Sequence, residues 1–141
     1  MKNRKLLQAD GKPWIAIAGE VHNSSSSNAA YMTKIWEKAK ALGLNTLLLP
    51  VSWEQIEPRE DQFTFGLVDE LVQQARDYKM HIIFLWFGTW KNAQSTYVPE
   101  WVKKDLQRFP RAEMEAGKRK IILKKFYNMP YTTLSYLGEE T

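Results

Sequence analysis

The sequence predicts an α/β fold of consecutive strand–helix–strand units around a parallel sheet. Three observations lead there. Continuous apolar runs recur at Trp14 to Ala18, Leu47 to Leu49 and His81 to Phe87. Residues at helical spacing fill the two intervals between them. Successive strand ends fall roughly 30 to 40 residues apart, the size of a βαβ unit, and such units join parallel strands by right-handed crossovers.

Each element has a local reason. Asp10-Gly11 lies between Leu6-Leu7 and the first apolar run, which suggests a tight hairpin turn. Trp14 to Ala18 is expected to be a buried strand ending at Gly19. Glu20 to Asn23 and the serines Ser24 to Ser27 form a polar loop, and Ser27 or Asn28 can cap the next helix. That helix is expected to bury Tyr31, Ile35, Ala39 and Leu42, with Trp36 beside them and Gly43 as its stop. Leu47-Leu48-Leu49 suits a strand covered on both faces, ended by Pro50. Val51 to Gln62 reads as a long loop. A second helix then presents Leu67, Val68, Leu71, Val72, Ala75 and Tyr78. The third strand, His81 to Phe87, ends at Gly88, and Pro99 marks the start of a third helix. Beyond Arg111 the pattern weakens, with Ile121-Ile122-Leu123 as the opening of a fourth strand.

Composition narrows the function classes. At 141 residues, with 44% hydrophobic and 26% charged residues, the chain can hold one domain with a core. The absence of Cys excludes disulfides and thiolate zinc sites. The net charge of +4 is mild, and its one dense run, Lys118-Arg119-Lys120 with Lys124-Lys125, reads as a solvated tail. No nucleic-acid partner is therefore expected. No apolar run approaches a membrane span, so no membrane partner is expected either. Only Leu6-Leu7 follows the basic start before Gln8, which is no signal-peptide core, so a cytoplasmic location is the default expectation.

In βα units, function gathers in the loops after the strands. Here those loops carry Glu20, His22 and Asn23, then Trp53, Glu54 and Glu57, then Trp86, Trp90, Lys91, Asn92 and Tyr97. Carboxylates and amides can bond adjacent sugar hydroxyls, and indoles can stack on the C–H face of a pyranose. The mixture suits a neutral polyol better than a phosphate or a dinucleotide. The predicted substrate-binding residues are Glu20, His22, Asn23, Trp53, Glu57, Trp86, Trp90 and Asn92. Three of them have a competing structural role: Glu57 as a loop brace before Pro58, Glu20 as a similar rim carboxylate, and Trp86 as core. His22 is read as a hydrogen-bonding histidine, since only His81 could join it on a metal. No metal and no cofactor are expected. The serine run lacks a base at triad spacing and reads as loop and cap.

These residues also carry a resemblance. Ala18-Gly19-Glu20-Val21-His22-Asn23 resembles the loop after the first strand in β-galactosidases of glycoside hydrolase family 35. Gly43-Leu44-Asn45-Thr46, Pro50 to Pro58 and Phe63-Thr64-Phe65 resemble a second-strand signature shared by families 35 and 42. Leu85 to Asn92, followed by Ser95, Tyr97, Val98-Pro99 and Trp101-Val102, is similar to bacterial β-galactosidase-like proteins. The resemblance runs from about residue 8 to residue 111. It implies a (β/α)8 TIM barrel that hydrolyses β-galactosides with retention, using two carboxyl groups about 5 Å apart. In these families the acid/base follows the fourth strand and the nucleophile the seventh, and neither loop is recognisable here.

A full barrel takes about 250 residues. The expectation is therefore a partial barrel of three to four βα units. Residues 1–111 would be the N-terminal part of the catalytic domain and residues 112–141 a divergent tail. Such a chain would carry part of the rim for a galactoside and no catalytic residue. The alternative is a carbohydrate-binding or protein-interaction module, with self-association through the exposed sheet edge.

Overall fold

A computed structural model describes residues 6–87 and 97–110, together with the backbone of strands at 113–116 and 119–122. The chain opens with a two-residue hairpin, β1 (Gln8–Ala9) against β2 (Lys12–Pro13). Asp10 and Gly11 both have positive φ, 51° and 74°, the conformation that lets a two-residue turn follow the twist of its strands.

The main sheet has three parallel strands in the order β3 (Ala18–Glu20), β4 (Thr46–Ser52) and β5 (His81–Phe87). Helix α1 (Ala29–Ala41) joins β3 to β4. A single helical turn, α2 (Trp53–Ile56), and helix α3 (Gly66–Asp77) join β4 to β5. The predicted β-α-β-α-β order and parallel sheet are thus present, and the chain is of the α/β class. A short helix, α4 (Glu100–Lys104), follows, with Pro99 at its N-cap.

Both long helices end in the same way. After α1, Leu44 N–H donates to Ala39 O and Gly43 N–H to Lys40 O, each at 3.0 Å. After α3, Met80 N–H donates to Ala75 O at 2.9 Å and Lys79 N–H to Arg76 O at 3.0 Å. This is the Schellman pattern, which needs a left-handed residue at the turn. Gly43 supplies it at φ 75°, whereas Lys79 sits at φ 55° with a side chain to accommodate. Opposite outcomes are expected in a urea titration: Gly43→Ala should destabilise by about 1 kcal/mol and Lys79→Gly should stabilise by a similar amount.

The core lies between the helices and one face of the sheet. It consists of Val21, Met32, Trp36, Ala39, Leu47, Leu49, Leu71, Ala75 and Met80. α3 uses the predicted face, with Leu71 and Ala75 buried and Leu67 and Tyr78 packed against the cluster. α1 is rotated from the predicted face. It buries Ala29, Met32, Trp36 and Ala39, while Tyr31 and Leu42 are exposed. The bulky indole decides the rotation. Trp36 is fully buried, stacks on Tyr78 at 6.3 Å and donates its N–H to Gln74 Oε1 at 2.8 Å. Asn28, one of the two predicted caps, accepts Tyr31 N–H on Oδ1 at 2.9 Å.

Three further expectations need correction. Trp14 to Ala18 is not a buried strand, because β3 begins only at Ala18 and Ile15 and Ile17 are 80% and 54% exposed. This stretch is tied to the sheet by Asn45 instead. Asn45 Oδ1 accepts Ile17 N–H at 2.9 Å, its Nδ2 donates to Ile15 O at 2.8 Å, and its main-chain N–H donates to Ile17 O at 3.0 Å. Pro50 does not end the second strand, which runs on to Ser52. The bonding groups of alternate residues in β4 face β3, as Leu48 O shows by accepting Val21 N–H at 3.1 Å. Pro50 shares that side, and β3 has already stopped there, so its missing N–H breaks no ladder bond. Finally, Ile121 and Ile122 lie in a strand, but they end it rather than open it, and it does not extend the main sheet. They belong to β7 (Arg119–Ile122), which pairs antiparallel with β6 (Glu113–Ala116) in a separate sheet.

Candidate functional site

The register sets the site. Glu20 is level with Leu48, and Ser52 with Phe87, so all three strands run out toward one edge of the sheet. Helices α1 and α3 cover the face that carries Leu47 and Leu49. Side chains alternate across a strand. Glu20, in register with Leu48, therefore lies on the opposite, open face, and Glu20 is exposed. His22 is exposed and Asn23 half-buried in the loop that follows. His81 is level with Thr46 at the start of β5, at the far end of the sheet from His22, and its ring meets Trp14 edge-on at 4.7 Å. The two histidines are not brought together. Among the described residues, no group of three or more His, Cys, Asp or Glu could hold a metal ion.

The serine run braces this loop. Ser25–Ser27 form a 3-10 turn. Ser26 is buried and its hydroxyl donates to Pro50 O. Ser27 Oγ donates to Ser24 O at 2.8 Å, and Ser24 Oγ meets the Tyr97 hydroxyl at 2.9 Å.

The loop after β4 is organised around Glu57, which is only 7% exposed. Its Oε2 accepts the Trp53 indole N–H at 2.7 Å and its Oε1 accepts Asp61 N–H at 2.9 Å. Its main-chain O accepts the Trp101 indole N–H at 3.2 Å. Residues 97–110 close over this loop. Glu54 N–H donates to Tyr97 O at 3.0 Å, Lys103 Nζ reaches Glu54 Oε2 at 3.2 Å, and Arg108 pairs with Glu60 at 2.7 Å. Val98, Val102 and Phe109 form a small second core on which Trp53 and Trp101 pack.

The predicted residues thus divide. Glu20, His22 and Asn23 stand in the loop at the end of β3, and Trp53 and Glu57 are joined at the end of β4. Trp86 is in register with Val51, which places it on the helix side of the sheet, away from Glu20, and it is 60% exposed there. Trp90 and Asn92 lie outside the described residues. Nothing in the sequence pattern marks Ser24, Trp101 and Lys103 as partners in this assembly, and Tyr97 reads only as a loop residue. One signal was available: Trp53 and Glu57 are four residues apart across a helical turn, the spacing at which side chains meet.

A parallel sheet with polar and aromatic loops at one edge defines the class as an α/β protein. The fold is similar to that of the exo-beta-1,4-mannosidase Op5Man5 from Opitutaceae bacterium strain TAV5, with a TM-score of 0.56 and 19% identity. That match covers 71% of this chain and 19% of the mannosidase. Residues 6–117 match the family described as glycosyl hydrolases family 35, and the chain belongs to that family. It is also similar to a beta-galactosidase of Xanthomonas manihotis, 39% identical over 57 residues, or 40% of this chain and 9% of that relative. The chain therefore spans only a small share of either protein.

Proposed function

We propose that residues 1–111 are the opening part of a (β/α)8 barrel of a retaining β-galactoside hydrolase, and that they carry part of its sugar-binding rim. Residues 112–141 are a divergent tail, a reading supported by the separate pairing of β6 with β7. The observation that carries the proposal is Glu20, His22 and Asn23 at the end of a parallel strand, beside the Trp53–Glu57 loop, in a chain of family 35. Glu20, His22, Asn23 and, outside the described residues, Asn92 bond sugar hydroxyls. Trp53 and Trp90 provide apolar contact, and Glu57 holds its loop. Trp86, on the helix side of β5, is assigned to packing against another element rather than to sugar. The acid/base and nucleophile carboxylates are not among these residues.

The purified chain is expected to bind galactose weakly and to release no nitrophenol from a nitrophenyl β-galactoside above the enzyme-free rate. Galactose titration followed by tryptophan fluorescence tests the first part. Turnover by the isolated chain would overturn the second. A second reading, a protein-interaction module, is favoured by one observation: Ile83, Phe84 and Trp86 on β5 are large, apolar and exposed. Light scattering separates the two, since a clean monomer disfavours association through β5.

A further inference from the structure

Building on the carbohydrate reading, we infer that Glu57 is a positioning residue for two crossed indoles, Trp53 and Trp101, and that this aromatic corner takes the apolar face of a sugar ring. The argument begins with how Glu57 spends its acceptors. Both carboxylate oxygens are engaged within its own loop, one on the Trp53 indole N–H and one on Asp61 N–H. Its main-chain carbonyl holds the Trp101 indole N–H. One residue thus fixes the N–H of both indoles. A carboxylate 7% exposed and already doubly bonded is poorly placed to meet a sugar hydroxyl.

The two rings are held in a definite relation. Their centroids are 5.8 Å apart and their planes cross at 88°. Trp101 in turn meets Phe109 edge-on at 5.6 Å. Both tryptophans are half-buried rather than sealed in the core. Packing alone does not require a carboxylate at position 57, since an aliphatic side chain fills space without a desolvation cost. Two donors converging on the carboxylate give charge-assisted bonds that fix direction as well as position. A ring whose N–H is tied loses little freedom when a sugar stacks on it, which is how preorganisation strengthens binding.

The test uses the indole N–H signals of the full, ¹⁵N-labelled chain, assigned with Trp53→Phe and Trp101→Phe. In Glu57→Gln one acceptor oxygen must serve two donors, and the amide NH₂ opposes one of them. The Trp53 signal is expected to move upfield in this variant. The Trp101 signal, bonded to a main-chain carbonyl, is expected to stay. Galactose should shift both indole signals in the wild type and bind about tenfold more weakly to Glu57→Gln.

A Trp53 signal unmoved by Glu57→Gln overturns the positioning role. Galactose that perturbs the amides of Glu20 to Asn23 but neither indole overturns the aromatic corner and keeps the carbohydrate reading. Galactose that perturbs nothing overturns the carbohydrate reading and the corner together, and the Trp53 shift still decides the role of Glu57. Should Glu57→Gln fail to fold, the Trp53→Phe background provides the answer. There the Gln oxygen can serve Asp61 while its NH₂ faces the vacated side, so the double variant should fold, with a melting temperature close to that of Trp53→Phe alone. A double variant that also fails to fold overturns the proposal.

Discussion

Trp36→Ala is expected to lower the unfolding free energy by about 4 kcal/mol, the usual cost of emptying a large buried aromatic site. Trp36 is fully buried between α1, α3 and the sheet, so the space cannot refill from solvent-facing side chains. The substitution also leaves Gln74 Oε1 without its donor, while Gln74 Nε2 stays bonded to Ala29 O at 2.9 Å. A domain of this size has about 5 to 15 kcal/mol in total, so between about a quarter and four fifths of its margin would go. Trp36→Phe keeps much of the volume and loses the N–H, and should cost about half as much. Urea titrations followed by circular dichroism measure both. A loss under about 1 kcal/mol for Trp36→Ala would mean that α1 is not anchored at this point.

Asn45→Ala should cost about 2 kcal/mol, since it removes three side-chain hydrogen bonds worth about 1 kcal/mol or less each. These are the bonds to Ile17 N–H, Ile15 O and the Thr46 hydroxyl, the last at 2.8 Å. The loss has a local signature. The Ile17 amide should exchange with solvent much faster in the variant, while amides in β5 keep their relative protection. Asn45→Asp retains the acceptor for Ile17 but sets a carboxylate against Ile15 O, so it should recover only part of the loss. Unchanged exchange at Ile17 would show that the main-chain bond from Asn45 to Ile17 O is enough to hold this stretch.

The elements that could be read from the sequence are those whose signal is local. The Asp10-Gly11 turn, the stop at Gly43 and the apolar face of α3 each follow from residues within one or two turns of one another. The errors arose where a distant partner decides the outcome. Spacing alone predicts a different face for α1, because its rotation is set by Trp36 reaching Gln74, 38 residues away. Trp14 to Ala18 has the composition of a strand, yet Asn45 ties it to the sheet through a side chain. Pro50 looked like a terminator because the early stop of β3 beside it cannot be seen in one dimension. The site was legible in the same measure. The proposed rim residues rest on residue type and on their place after strands. The closure of residues 97–110 over the Glu57 loop depends on partners more than 40 residues apart, such as Lys103 with Glu54 and Arg108 with Glu60.

Pro50 has a consequence for how this rim can vary. A residue without an N–H, set in the middle strand, is a one-sided barrier: it accepts β5 on one flank and refuses further lengthening of β3 on the other. The notch it maintains is about four residues, or roughly 13 Å, deep. The serine turn fits into that notch through Ser26. Drift in the first loop can therefore change what the rim displays without unravelling the sheet beneath it.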